Sequence, residues 1–284
     1  MKTVRIGGVP EHFNLPWHLT LKSDAYKNEQ IDLQWQDFYG GTGAMCKALR
    51  SGDIDIAIIL TEGITKDIIA GNPSKIVQTY VQTPLNWGVH VAAASPYKTV
   101  ADLKGTKAAI SRYGSGSHLM AYINAQNHTW DIKKDLDFEI IKNLEGAVKG
   151  LTNGDADYFL WEKYTTKPIV DQGVFRRIDN CPSPWPCFVI AVREDFINTS
   201  TPTLKSILNI INNKTKAFKA IQDIDKTIAT NYKQELNDVQ EWLGITEWAQ
   251  ENISKKVLMH VQEQLFALDI IPEIVNYEVL THHI

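Results

Sequence analysis

The sequence is short of most features that announce a function. Only three of its 284 residues are cysteine, at positions 46, 181 and 187, and an odd, small number makes no disulfide framework. Cys46 reads as a small buried residue of a helix. Cys181 and Cys187 bracket a segment stiffened by three prolines, and both read as free thiols. No Cys/His spacing suits zinc. There is no G-x-x-x-x-G-K-S/T phosphate loop and no G-x-S-x-G nucleophile elbow. Charge of one sign is also scarce. The formal net charge is -4, which leaves no electrostatic footprint for nucleic acid or an anionic membrane surface. No run approaches the roughly 20 apolar residues of a membrane helix. The chain opens Met1-Lys2-Thr3-Val4-Arg5-Ile6, one basic residue followed at once by a strand-like run, without the apolar stretch and cleavage site of a secretory signal. The expectation is a cytoplasmic protein, periplasmic only if a leader is removed. No cofactor and no metal are expected. Nucleic acid and membrane are not expected partners, and a protein partner is left open.

What is present is ordinary globular composition, 44% hydrophobic and 22% charged, with eight tryptophans and ten tyrosines. The length suits two lobes of roughly 100–150 residues. Strand-like runs and helical periods alternate along most of the chain. Residues 3–8, 31–38, 54–60, 76–81 and 89–94 read as strands, and so do 106–111, 138–141, 156–161, 175–178 and 188–192. Helices are expected from a cap at Asn14 to about Tyr26, then from the Gly40–Gly43 run to Ser51, and over 61–70. Further helices are expected over 115–127 and 145–153, and from the strand ending at Trp161 to about Asp171. Beyond Asp195 the pattern is helical only, over 203–235 with breaks, 239–243 and 254–268. Such alternation implies parallel α/β sheets, with the tail as packed helices.

An internal repeat organises this series. Lys47-Ala-Leu-Arg-Ser-Gly-Asp-Ile-Asp55 matches Lys149-Gly-Leu-Thr-Asn-Gly-Asp-Ala-Asp157. Each copy closes a helix on a glycine, Gly52 or Gly154, suited to a left-handed cap, and then enters an apolar strand.

Three segments carry a resemblance. Ser95-Pro-Tyr-Lys-Thr-Val-Ala-Asp-Leu-Lys-Gly-Thr-Lys107, followed by Gly114-Ser-Gly-Ser-His118, is similar to the opening of the second lobe in nitrate/sulfonate/taurine-binding and thiamine-pyrimidine-precursor-binding proteins. The strands after Gly52-Asp-Ile-Asp55 and Gly154-Asp-Ala-Asp157 resemble that family's paired signatures. The resemblance covers roughly Val4 to Val192 and points to its leaderless subgroup. It implies an α/β fold of the type II periplasmic-binding kind: two lobes, parallel-rich sheets, a two-strand hinge and a helical C-terminal tail packed on lobe 1. Lobe 1 would hold 1–88 and 190–284, and lobe 2 would hold 89–189.

In open α/β sheets ligands bind beyond the carboxyl ends of strands. That rule selects Glu11, His12, Phe13, Gly41, Thr42 and Glu62 in the first series. It selects Arg112, Tyr113, Ser115, Ser117, Trp161 and Glu162 in the second, and the hinge adds Trp87 and Trp185. Glycine–hydroxyl turns opening helices at Gly41-Thr42 and Ser115-Ser117 offer free amide groups. The aromatic residues offer stacking faces. Glu11, Glu62 and Glu162 would make an acidic cleft with Arg112 as its one candidate cation, which disfavours a strongly anionic ligand. The expected function is a solute-binding protein, similar to the substrate-binding components of ABC transporters, closing a cleft around a small heteroaromatic or amine-bearing ligand, with a permease partner left open. The alternative is a cytosolic enzyme on the same fold, of thiamine-pyrimidine or menaquinone-pathway kind, with His12 as acid/base. The cysteine-rich motif of the pyrimidine synthase is absent. A third reading, the sensing domain of a regulator, would need a separate DNA-reading partner.

Overall fold

A computed structural model describes residues 1–284. The chain divides into two compact units, Met1–Thr83 with Trp185–Ile284, and Pro84–Pro184. In chain order the first unit holds β1 (Lys2–Gly8), α1 (Leu15–Leu21), α2 (Ala25–Asn28), β2 (Ile31–Asp37), α3 (Gly41–Ser51), β3 (Ile56–Leu60) and α4 (Thr61–Ile69). Strand β4 (Ser74–Ala92) leads into the second unit. That unit continues with β5 (Lys107–Ile110), α5 (Gly116–Asn127), β6 (Asp137–Ile140), α6 (Leu144–Asn153), β7 (Tyr158–Glu162) and α7 (Lys167–Asp171). Strand β8 (Phe175–Arg193) returns to the first unit, which ends in α8 (Glu194–Ala217), α9 (Ile224–Tyr232), α10 (Leu236–Ile245), α11 (Lys255–Ala267) and α12 (Tyr277–Leu280).

The repeat seen in the sequence is a structural repeat. The first unit carries the strand order β2-β1-β3-β8 and the second the order β6-β5-β7-β4. In each, the first three strands are parallel and the fourth is antiparallel. The matching nonapeptides do the same work in both. Gly52 and Gly154 cap α3 and α6 with φ of +77° and +78°. Asp53 N donates to Ala48 O and Asp155 N to Gly150 O, each at 2.9 Å. The final aspartate of each copy then braces the neighbouring strand. Asp55 accepts from the Arg5 amide and Asp157 from the Lys107 amide, both at 2.8 Å. Each returns its own amide to the carbonyl of that same residue, again at 2.8 Å. A carboxylate that fixes a strand edge in register explains why Asp closes both copies.

Burial follows the pattern of apolar residues. Ile56, Ala57, Ile58 and Ile59 have no exposed surface, as expected of a strand covered on both faces. The first unit's core joins Met45, Leu49, Ile59 and Ile64 to Ile253, Leu258 and Leu280 of the tail. The helical tail therefore packs on the first unit. The second unit's core gathers Ala109, Ala147, Leu151, Phe159 and Phe175.

Three local expectations change. The runs expected at 76–81 and 89–94 merge into one strand of 19 residues that ends at Ala92, and 175–178 and 188–192 lie in another of 19 residues. The intervening polar and proline residues read as breaks, yet Pro182, Pro184 and Pro186 fall on alternate positions. The donors they lack would all face one side of β8, which leaves the other side free to pair. The long strands also mask the chain crossings, which lie at 83/84 and 184/185 where the apolar runs suggested 88/89 and 189/190. Finally, Asn14 makes no cap bond. Its Nδ2 donates to Val9 O at 2.8 Å, and a 3₁₀ turn over His12–Asn14 starts the helix instead. That helix stops at Leu21, before the separate turn of α2.

Candidate ligand-binding site

In the first unit, three segments follow the carboxyl ends of β1, β2 and β3. After β1, His12 and Phe13 are buried, 1% and 4% exposed. Their rings stack at 4.9 Å. Phe13 packs against Phe188 at 5.2 Å and Trp242 at 5.1 Å, and its carbonyl accepts from the Tyr80 hydroxyl at 2.9 Å. His12 lies 4.2 Å from the Trp242 ring. Burial lowers its pKa to about 3, so the imidazole is neutral throughout the physiological range. An imidazole with so low a pKa can hydrogen-bond, but it is a weak base, and its protonated form is scarce near neutral pH.

After β2, Gly41 has φ of +63° and opens α3. Thr42 packs over Gly63 of α4, where an added Cβ would lie 2.3 Å from the threonine methyl, so glycine is what lets these two helix starts meet. After β3, the first turn of α4 grips the returning strand. Thr61 Oγ1 donates to Pro186 O at 2.5 Å and Cys187 O at 3.3 Å. The indole of Trp185 donates from Nε1 to Glu62 Oε2 at 2.9 Å. Glu62 is 6% exposed and Trp185 is 2% exposed. Burial raises the Glu62 pKa to about 7, against the opposing pull of its own amide and the indole.

In the second unit, β5 ends in a loop that carries Arg112 and Tyr113, both exposed. Ser115 caps α5 by accepting from the His118 amide at 3.3 Å. Its Oγ is 3.1 Å from that of Ser117, which accepts from the Ser111 amide at 3.0 Å. These hydroxyls hold the loop as well as lining it. Strand β7 ends with Trp161 and Glu162, which pair in register with Gly88 and Trp87 of β4. Trp161 is half-buried. It stacks on Phe159 at 5.2 Å and meets Trp87 edge-on at 6.3 Å. Glu162 is buried and accepts from the Thr165 amide at 2.6 Å. Burial raises its pKa, opposed by the Thr165 and Tyr164 amides.

The predicted residues thus fall into separate groups. Within the first unit His12 joins Phe13, Glu62 joins Trp185, and Gly41-Thr42 abuts the start of α4. Within the second unit Trp87 joins Trp161 and Glu162, while Arg112, Tyr113, Ser115 and Ser117 share one loop. Glu62 and Glu162 are internal hydrogen-bond acceptors, and Glu11 is half-buried. The sequence reading missed Trp242, which closes a box of rings around His12, and Phe188, which packs on Phe13. Phe188 sits inside an apolar strand run and Trp242 in a helix with no motif, so neither gave a signal. No group of three His, Cys, Asp or Glu is arranged to hold a metal ion. No helix is long and apolar enough to cross a membrane.

Comparison with known proteins places the fold. A family model described as Ca3427-like PBP matches residues 87–181. No curated protein matches the sequence. Among solved structures, the Candida albicans CA3427 gene product, described as having the generic periplasmic binding protein fold, is 23% identical. That match covers 98% of this chain and 93% of that one, at a TM-score of 0.89. The alkanesulfonate-binding protein of Xanthomonas axonopodis pv. citri, bound to MOPS, is 18% identical over 96% of this chain and 95% of its own, with a TM-score of 0.81. The aliphatic sulphonate binding protein of Escherichia coli is 16% identical over 100% and 92%, with a TM-score of 0.78. The chain has the two-unit α/β fold of the periplasmic binding proteins.

Proposed function

We propose that the protein captures a small heteroaromatic or amine-bearing molecule, using residues at the carboxyl ends of its strands, and releases it unchanged. The observation that carries this reading is the chemistry of those strand ends on a solute-binding fold. They are aromatic, and the accessible charges among the predicted residues are Glu11, half-buried, and Arg112, exposed. His12 is neutral, Glu62 and Glu162 are turned to internal bonds, and Arg112 is the one cation among the predicted residues. Small-molecule sites combine apolar and aromatic walls with a few polar anchors, and this set has that composition. The structural relatives that bind sulfonates take an anion. Among the predicted residues the one cation that could fix such a group is an exposed arginine on a loop, which favours stacking and hydrogen bonding over charge pairing.

Half-buried Trp161 offers a ring face supported from beneath by Phe159, and it is the proposed stacking surface. Binding energy would bias a conformational equilibrium of the protein, as ligands do when they prefer one state. The output is storage, delivery or presentation to a protein partner. The enzyme alternative rests on His12 as acid/base, and a buried imidazole with a pKa of about 3 gives it no support.

The test is a thermal-shift and calorimetry panel of aminopyrimidines, amines, polyols and sulfonates on the wild type and on Trp161→Ala. Losing a stacked ring costs about 1–3 kcal/mol, so a compound that stabilises the wild type should bind the variant about tenfold more weakly or worse. Equal affinity for both proteins would sink the assignment of Trp161.

A further inference from the structure

The box around His12 holds two buried polar atoms without a partner. Neither His12 Nε2 nor Trp242 Nε1 has a hydrogen-bond partner in the protein, although each residue is only 1% exposed. Buried polar atoms are almost always satisfied, and an orphan calls for an occupant. Here two orphans belong to rings 4.2 Å apart, just beyond the carboxyl end of β1, where this fold presents its ligand contacts. Phe13 stacks on one side of the imidazole at 4.9 Å, and Tyr232 approaches its edge at 5.8 Å.

We propose that His12, Phe13, Tyr232 and Trp242 form a ligand subsite for a neutral or amine-bearing hydrogen-bonding group, with Trp242 of the helical tail as a specificity-determining residue. This deepens, and rests on, the solute-binding reading. An indole N–H can only donate, while a neutral imidazole offers either a donor or an acceptor at Nε2. A hydroxyl satisfies both. So does a heteroaromatic ring whose nitrogen accepts from Trp242 while an amino group donates to His12.

An anion fits poorly. It would be desolvated beside an imidazole that carries no charge, and no cation lies among the four residues. The half-buried Tyr232 at the rim already feels the carboxylates of Asp37 and Glu11, which add to burial in raising its pKa. Those same carboxylates would repel an incoming sulfonate and attract an amine. Trp242 matters for selection because its donor is enclosed. A ligand that leaves it unpaired loses affinity that a matched ligand keeps.

The experiment is nitrogen-15 NMR of the eight tryptophan indoles in the full chain, assigned with single Trp→Phe variants. The probes are 4-aminopyrimidine, myo-inositol and ethanesulfonate. The expected result is a shift of the Trp242 signal with 4-aminopyrimidine or myo-inositol. Trp242→Phe keeps a ring in the box, so the remaining signals should stay in place while affinity falls about tenfold. Shifts at Trp87 or Trp161 with Trp242 unmoved would overturn the subsite and leave the solute-binding reading standing. A Trp242 shift with ethanesulfonate alone would overturn the neutral chemistry. No shift of any indole with any probe would count against both.

Discussion

Glu62 gives the most demanding test of the structure's energetics. Its carboxyl is buried, bonded to the Trp185 indole at 2.9 Å, and its pKa is raised from 4.5 to about 7 by burial. A carboxyl raised in this way binds a proton more tightly in the folded state than in the unfolded one. Between the two values the folded state therefore holds more protons, and stability falls as pH rises. At about 1.4 kcal/mol per pKa unit, ionising Glu62 in place costs the fold about 3 kcal/mol once the pH is above 7. Below 4.5 the cost is absent. Glu62→Gln keeps an acceptor for the indole and removes the titration. The variant should match the wild type near pH 4.5 and exceed it by about 3 kcal/mol at pH 8. The assay is urea unfolding of both proteins at half-unit intervals from pH 4 to 8.5. His12 and His90, held by burial at about 3 and about 4, make stability fall as pH drops below 6.5. They do so equally in both proteins, so the difference between the curves isolates Glu62. The control is Trp185→Phe. Without the indole donor the carboxylate loses a stabilising bond, and the midpoint should move higher. A difference curve that stays flat over the whole range would refute the reasoning.

The other predictions concern the duplicated brace and its caps. Asp55→Ala strips the Arg5 amide of its acceptor and should cost about 1.5–3 kcal/mol in urea unfolding. Asp157→Ala removes the equivalent bond to Lys107 in a half-exposed setting and should cost less, so a reversed order would contradict the argument from burial. Gly52→Ala and Gly154→Ala each force a side chain into the left-handed region, at about 1–2 kcal/mol. Gly52 should be the more sensitive, because an added Cβ there would lie 2.3 Å from the Arg193 guanidinium, whereas the space at Gly154 is open. Thermal melts of the two variants, which share their backbone geometry, would show the difference directly.

The repeat was the most legible part of the chain. Helix period, glycine cap and closing aspartate are local, and local chemistry survives in a single sequence. The long strands were not legible, because a proline at every second position of 182–186 reads as a break when only composition is considered. The predicted site residues came from one rule about strand ends, and that rule says where a side chain begins. It does not say what the side chain meets. It could not show that Glu62 would be taken by Trp185 across 123 residues, or that Glu162 would turn back on Thr165. Nor could it reach Trp242, which joins His12 only through the packing of the tail helices. Long-range partners of this kind have no periodicity to read.

The central claim, capture of a small molecule without chemistry, is tested most directly by native mass spectrometry of the protein as purified and after mixing with the compound panel. The account predicts a stoichiometric bound mass that is released unchanged on denaturation. A compound that is consumed, with a new mass appearing in step with the protein, would contradict it.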